Sequence, residues 1–293
     1  MNTTTLQSPA TTTPSSRPPI GSSRRRGVPS PSIIGKIVVL AVATFLTLGP
    51  VIWTLWTSLT PQVAGTDRTD FGLSAYLDVF NQVDMALLVW NSALVTGLCA
   101  FGQMFTAALA GYTFAKIDFR GSRALFAIVL ATMMVPMQVT IVPVFMLIRG
   151  MGLSDTLLAL ILPAIPTAFG TFLMRQYFLG LPAELAEAAA IDGASPFRTF
   201  VSVYAPLAMP GLAIVGILAF NYHWNEFFRP LIMTISEQNF TLPLGLVSLQ
   251  GNLGTGSVST VLAGVVLSMI PALIVFVFGQ RPLREGLTAG TSK

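Results

Sequence analysis

Charge is what this sequence most lacks. Sixteen Lys and Arg and twelve Asp and Glu are spread over 293 residues, 10% of the chain, where a soluble domain carries about 25%. So few charges cannot cover the surface of soluble domains of this length, and 53% of the residues are hydrophobic, with a mean hydropathy of +0.72. The one cysteine, Cys99, excludes an intramolecular disulfide and a Cys-rich metal site; inside an apolar run it reads as a small packing residue. The one histidine, His223, excludes a multi-histidine metal site and reads as an interfacial packing or hydrogen-bonding residue. No G-x-x-x-x-G-K-[ST] phosphate loop occurs, so the chain has no means of its own to hydrolyse ATP. No nucleophile–base pair and no paired carboxylates stand out, which argues against a membrane enzyme. The net charge of +4 is scattered and gives no nucleic-acid patch.

What is present is apolar runs of spanning length. Crossing the hydrocarbon takes about 20 mostly apolar residues, and six runs qualify: Ile33–Leu59, Leu87–Phe114, Ala124–Ile148, Thr156–Phe178, Pro206–Trp224 and Ser257–Phe278. All are predicted to be helices, because an isolated strand leaves backbone groups unpaired in lipid. Pro136, Pro143, Pro163, Pro166 and Pro210 are expected to interrupt them locally. Residues 1–31, rich in Ser, Thr and Pro, form a tail that buries too little apolar surface to fold. No cleavable signal peptide is expected, since the first run is too long for a signal core and reads as an anchor that stays. The fold class is therefore an all-α polytopic membrane protein with six transmembrane helices. Its parts are a tail 1–31, a first helix 32–59, an extracytoplasmic loop 60–86, a transmembrane domain 87–279 and a tail 280–293.

Basic residues set the direction. With the N-terminus inside, Arg17, Arg24, Arg25, Arg26, Lys36, Lys116, Arg120, Arg123, Arg175, Arg198, Arg281, Arg284 and Lys293 are cytoplasmic, and Arg68, Arg149 and Arg229 are outside. That asymmetry favours both termini in the cytoplasm. Trp53, Trp56, Trp90 and Trp224 fall near the predicted outer ends, where indoles favour the interface.

The loop 181–204 before the fifth span carries helix signals. Pro182 suits a first turn, Glu184 and Glu187 follow at the positive end of the helix dipole, and an Ala-rich run leads to Gly193, placed to end a helix in a left-handed conformation. Ser195-Pro196 reads as the cap and first turn of a second short helix. Leu185, Ala188, Ala189 and Asp192 are expected to share one face. A helix–glycine–helix elbow is predicted, and composition leaves two roles open: a small-residue docking surface, or a solvated connector.

Glu187-Ala188-Ala189, then Gly193, then Val203-Tyr204-Ala205-Pro206 resembles the E-A-A, G, I-x-L-P signature of bacterial ABC importer permeases, with Val203 and Ala205 as mild apolar departures. Asn91-Ser92, the stretch Tyr222-His223-Trp224-Asn225-Glu226-Phe227-Phe228-Arg229-Pro230-Leu231 and the ending Arg284–Gly290 are similar to the carbohydrate-uptake branch, in particular its maltose-type second permease. The resemblance implies a type I importer permease fold and an inner-membrane location. It makes the loop an element that docks in a cytoplasmic ATPase subunit through Glu187, Ala188, Ala189, Asp192, Gly193 and Pro206, with Glu187 facing basic groups. It also implies partners: a second homologous permease subunit, two ATP-binding subunits that hold ATP and Mg, and an extracytoplasmic sugar-binding protein. No cofactor or metal is expected on this chain itself. Gln103, Gln138, Thr140, Asn221, Asn225 and Glu226 are polar groups in or near the spans, read either as lining a sugar path or as joining helices. The competing class, a gradient-driven carrier, needs ionisable groups within the spans, and the sequence places almost none there.

Overall fold

A computed structural model describes residues 31–61, 71–251 and 256–289, with side chains from 35 to 279 within those ranges. The tail 1–30, Arg68, Thr69 and residues 290–293 lie outside the described residues. Fourteen α-helices occur among the described residues: α1 Pro31–Leu59, α2 Ser74–Gln82, α3 Met85–Lys116, α4 Ser122–Thr132, α5 Met137–Gly150, α6 Leu157–Ile161, α7 Ala168–Leu179, α8 Glu184–Ile191, α9 Pro196–Thr199, α10 Ala205–Leu207, α11 Met209–Trp224, α12 Phe228–Met233, α13 Leu242–Gly245 and α14 Val258–Ala289. Internal contacts divide the chain into two compact units, Met1–Gly49 and Pro50–Lys293, the division falling inside α1. In the first unit α1 exposes apolar side chains all round, including Val39, Leu40 and Phe45.

Three helices are long and apolar enough to cross a membrane: Gly35–Leu59, α3 and Val258–Gly279. Three further pairs qualify only when joined across a bend, α4 with α5 at 100°, Leu157–Ala164 with α7 at 40°, and Pro196–Leu207 with α11 at 73°. The sequence anticipates only local interruptions here, so the sharp bends are a correction. The residue before a proline is steered away from the α region. Val135 precedes Pro136, and Pro136 itself is extended (ψ 138°), so the helix cannot continue past this point. Pro163 sits in the 3₁₀ turn Leu162–Ala164, and Pro210 occupies the first turn of α11, where its missing N–H costs little. Pro143, by contrast, is accommodated inside α5 without ending it.

Within the second unit α3 is the central rod, packed chiefly on α7 and α11, with α14 against α11 and α2. Asp84 caps α3 by accepting the Leu87 N–H at 3.0 Å. At 1.5 Å per residue its 32 residues span about 48 Å, more than the roughly 30 Å of hydrocarbon. Close approach to α7 depends on small residues, as in other membrane helix pairs. A Cβ at Gly111 would lie 2.6 Å from the Met174 Cβ and 2.9 Å from the Arg175 nitrogen, inside any tolerable contact. Around this seam Tyr112, Phe178, Phe200 and Tyr204 form an aromatic core.

At the Met85 end of α3, Asn91 donates to the carbonyls of Gln238 and Phe240 (2.8 and 3.0 Å), and the Ser92 hydroxyl accepts the Leu242 N–H. These bonds hold the chain after α12 against the rod. Asp155, at φ 57°, holds the same stretch from the other side, accepting the N–H groups of Ile235 and Ser236 and the Ser236 hydroxyl. The Ser236 hydroxyl, then the two N–H groups, hold its carboxyl well below the usual carboxylate range, outweighing its partial desolvation.

Candidate functional site

The first group of predicted residues stands on an elbow. Glu184–Ile191 form α8, and Gly193 follows at φ 74°. Ala194 N–H bonds to Ala189 O at 2.9 Å and Gly193 N–H to Ala190 O at 3.0 Å, the paired bonds of a Schellman ending. A Cβ at Gly193 would meet no atom within 4 Å, so glycine is there for its backbone and not for space. Ser195 caps α9 by accepting the Arg198 N–H. Glu187, Ala188, Asp192, Gly193 and Pro206 are exposed, whereas Ala189 is buried.

The single face expected for Leu185, Ala188, Ala189 and Asp192 is therefore split. Leu185 packs against the aromatic core and Ala189 is buried, while Ala188 and Asp192 turn outward. Spacings of three and four differ by a residue's 100°, and a helix lying on a core resolves that difference. The outer face is also less uniformly small than composition suggests, since Ile191 is 87% and Phe197 70% exposed. Sequence reasoning missed both; an isoleucine on the polar side of an otherwise amphipathic turn was the available signal.

The base of the elbow is pinned by residues that no local signal joins. Lys116, at the end of α3, donates to Leu181 O at 2.8 Å and lies 5.2 Å from the Tyr204 ring centroid. Tyr204 donates to Pro182 O and Tyr112 to Pro196 O, each at 3.3 Å. Both short helices thus move with α3.

The second group is divided by the fold. Gln103, near the middle of α3, donates from Nε2 to Ala164 O (2.8 Å) and lies 2.9 Å from His223 Nε2. His223 Nδ1 is 2.9 Å from Glu226 Oε2, and Arg229 pairs with the same carboxylate oxygen. One assignment uses each hydrogen once. The Gln103 amide donates one hydrogen to Ala164 and one to His223 Nε2, so the imidazole proton sits on Nδ1 and goes to Glu226, and Arg229 Nη2, 3.0 Å from that Nδ1, directs its hydrogen to the carboxylate and not to the ring. His223, Glu226 and Arg229 are all more than nine-tenths buried. Among the described residues Glu226 Oε1 and Arg229 Nε have no hydrogen-bond partner.

Two expectations change as a result. Arg229 is not an exposed charge: it is buried with Glu226 where His223 meets the midpoint of α3, and the chain continues through α12 to Asn91. Trp224 is likewise not interfacial: it stacks on Phe220, donates to Ser268 O at 3.0 Å and is 3% exposed. Trp53, Trp56 and Trp90 do remain exposed. Among the described residues no three His, Cys, Asp or Glu side chains converge as a metal site.

Residues 86–284 match the family described as binding-protein-dependent transport system inner membrane component. The chain belongs to that family, the permeases of ABC importers. An arabinooligosaccharides transport system permease protein, AraQ of Halalkalibacterium halodurans, is 38% identical over 231 residues, 78% of this chain and 81% of the relative. A lactose transport system permease protein, LacG of Rhizobium radiobacter, is 32% identical over 254 residues, 85% and 92% of the two chains. A solved bacterial ABC transporter involved in the import of the acidic polysaccharide alginate superimposes with a TM-score of 0.75 at 28% identity, covering 87% of this permease and 99% of that chain.

In this permease Glu226 is buried and Gln103 half-buried, and both bond between helices. Asn221, Asn225 and Gln138 are exposed, and Thr140 is partly so, its hydroxyl bonded to Met137 O in its own helix. Asn225 donates to Asn221 O at 2.8 Å, and the Tyr222 hydroxyl reaches Met137 Sδ at 3.7 Å. These contacts bring the end of α11 beside the start of α5.

Proposed function

We propose that this permease is the membrane-spanning subunit of an ATP-driven, binding-protein-dependent sugar importer in the bacterial inner membrane. It has six spans, three of them bent, with both termini cytoplasmic. It works with a second homologous permease, two cytoplasmic ATP-binding subunits that carry ATP and Mg, and an extracytoplasmic binding protein that delivers the sugar. This chain hydrolyses nothing; it supplies a gated path and a lever.

The observation that carries the reading is the exposed elbow on a fixed base. Ile191 and Phe197 offer apolar contact, Glu187 offers negative charge beside them, and Lys116, Tyr112 and Tyr204 tie the elbow to α3. A push on the elbow is thereby a push on the central rod. The exposed Asn221, Asn225 and Gln138 are suited to sugar hydroxyls, and the sugars named for the relatives set the class to test. The buried Glu226–Arg229 pair gives a gradient-driven carrier little to use, since each charge already holds the other.

The permease and its partners, reconstituted in proteoliposomes with lactose and an arabinooligosaccharide as probes, are expected to accumulate at least one sugar only when ATP is supplied. Collapse of proton and sodium gradients should change little. Glu187→Lys should lower uptake about ten-fold or more, beyond Glu187→Gln, by reversing the charge offered to the ATPase subunit. Gradient-driven uptake by this chain alone would overturn the reading.

A further inference from the structure

Two breaks between helices meet at one side chain. The bend between Leu157–Ala164 and α7 frees the carbonyls of Ala164 and Ile165, and a membrane interior supplies no water to take them. α3 answers with Gln103 Nε2 to Ala164 O at 2.8 Å and with Thr106 Oγ1, whose one hydrogen is shared between Gly102 O in its own helix (2.9 Å) and Ile165 O (3.0 Å). The second break lies at residues 225–227, between α11 and α12. It is held by His223, Glu226 and Arg229, and Gln103 reaches it through His223 Nε2 at 2.9 Å. Among the described residues Gln103 is the side chain bonded to both breaks; Thr106 serves only the first.

The two breaks lead to different ends of the molecule. From the first, α7 runs directly into the elbow of α8 and α9. At the second, Asn225 and Phe227 are exposed on the face opposite the buried charges. The cluster there is not fully paired, with Glu226 Oε1 and Arg229 Nε left without partners in a buried setting. Ionisable groups buried beside the middle of an apolar helix at such cost mark function more often than packing, and unused hydrogen-bonding capacity leaves room for a second arrangement.

We propose that Gln103 is a positioning residue that couples these breaks, so that displacement of α7 by the docking elbow is passed through Gln103 and His223 to the Asn225 face. The inference rests on the reading of the chain as an ATP-driven permease. It adds a specific bridge, and a claim of coupling requires a measurement in which both ends are seen to respond together.

The test uses the intact complex in nanodiscs, with Asn225→Cys as reporter and the buried Cys99 left in place. The maleimide reaction rate on this chain is compared without nucleotide and after trapping with ATP and vanadate. With Gln103 present the rate should change about five-fold or more, the lower end of common allosteric coupling; in Gln103→Leu and in His223→Leu the change should fall below about two-fold. The double variant should be no worse than either single one, because both remove the same bridge. Thr106→Val, which loosens only the first break, should keep the full response. Co-purification of the ATPase subunits is checked for every variant, so that a loss of response is read on assembled complexes. A full response in assembled Gln103→Leu overturns the proposal, as does an equal loss in Thr106→Val, which would mean simple loosening. No nucleotide response even with Gln103 intact overturns the importer reading and this inference with it.

Discussion

The α8–α9 elbow and the Gln103–His223–Glu226–Arg229 cluster hold much of the polar chemistry of this permease, and they hold it in opposite ways. In the elbow, Glu187 and Asp192 face outward while the backbone beneath them is satisfied by Lys116, Tyr112 and Tyr204. In the cluster the charges face each other, buried, with two polar atoms left over. Where water is at hand a charge is free for a partner; where it is not, the charge is committed to its neighbours, and removing one leaves the other stranded. Substitutions should therefore separate cleanly: those in the cluster change stability, and those in the elbow change assembly.

The largest effect is expected from Glu226→Ala. It strands Arg229 in an apolar interior at about 3–5 kcal/mol, which should appear as a sharply lower Tm of the purified permease and low membrane abundance. Removing both charges, as in Glu226→Gln with Arg229→Met, should be milder than Glu226→Ala alone. A double variant no better than the single one would break the account of the cluster as a mutually compensating pair.

Gly193→Val comes next. The new side chain finds space, but φ 74° costs a β-branched residue about 1–2 kcal/mol. Because the strain falls on an exposed turn, membrane abundance should stay near normal while co-purification of the ATPase subunit drops. A Gly193→Val chain that keeps its partner and full uptake would reduce the elbow to a connector.

The smallest effect belongs to Asp155, a charge that resembles the elbow in exposure and the cluster in its bonding. Its carboxyl is held below its ordinary range, so its contribution is complete above about pH 4, near the unfolded value, and is lost as pH falls through the depressed folded value. Asp155→Asn keeps a residue type that tolerates positive φ and removes the charge. The Tm difference between the two proteins should be flat from neutral pH to about 5 and should shrink only in stronger acid. A difference that grows on acidification would contradict the assigned hydrogen bonds.

The two regions also differ in how well the sequence revealed them. Pro182, Gly193 and Ser195-Pro196 are signals that act within a few residues, so the elbow could be drawn from them before any packing was known. Even there, which face of α8 lies inward depends on Leu185 and Ala186 meeting the aromatic core. The cluster was misplaced because its depth is not a local property. In sequence Trp224 and Arg229 read as an interfacial indole and an outer charge, and both are buried, since the chain beyond α11 packs inward through α12 instead of forming an exposed loop.

By itself, the sequence determined that this protein lives in a membrane as helices, since 53% hydrophobic residues and 10% charged ones leave no other solvent and no other backbone pairing. It also determined the elbow, because helix starts and stops are written in adjacent residues. Only the tertiary structure decided where the spans break sharply and which polar groups meet. Those outcomes depend on carbonyls freed at one proline-rich bend finding donors on a helix some sixty residues away, as Ala164 O finds Gln103. Hydropathy records how apolar a segment is; which neighbour completes its hydrogen bonds is settled only when the helices pack.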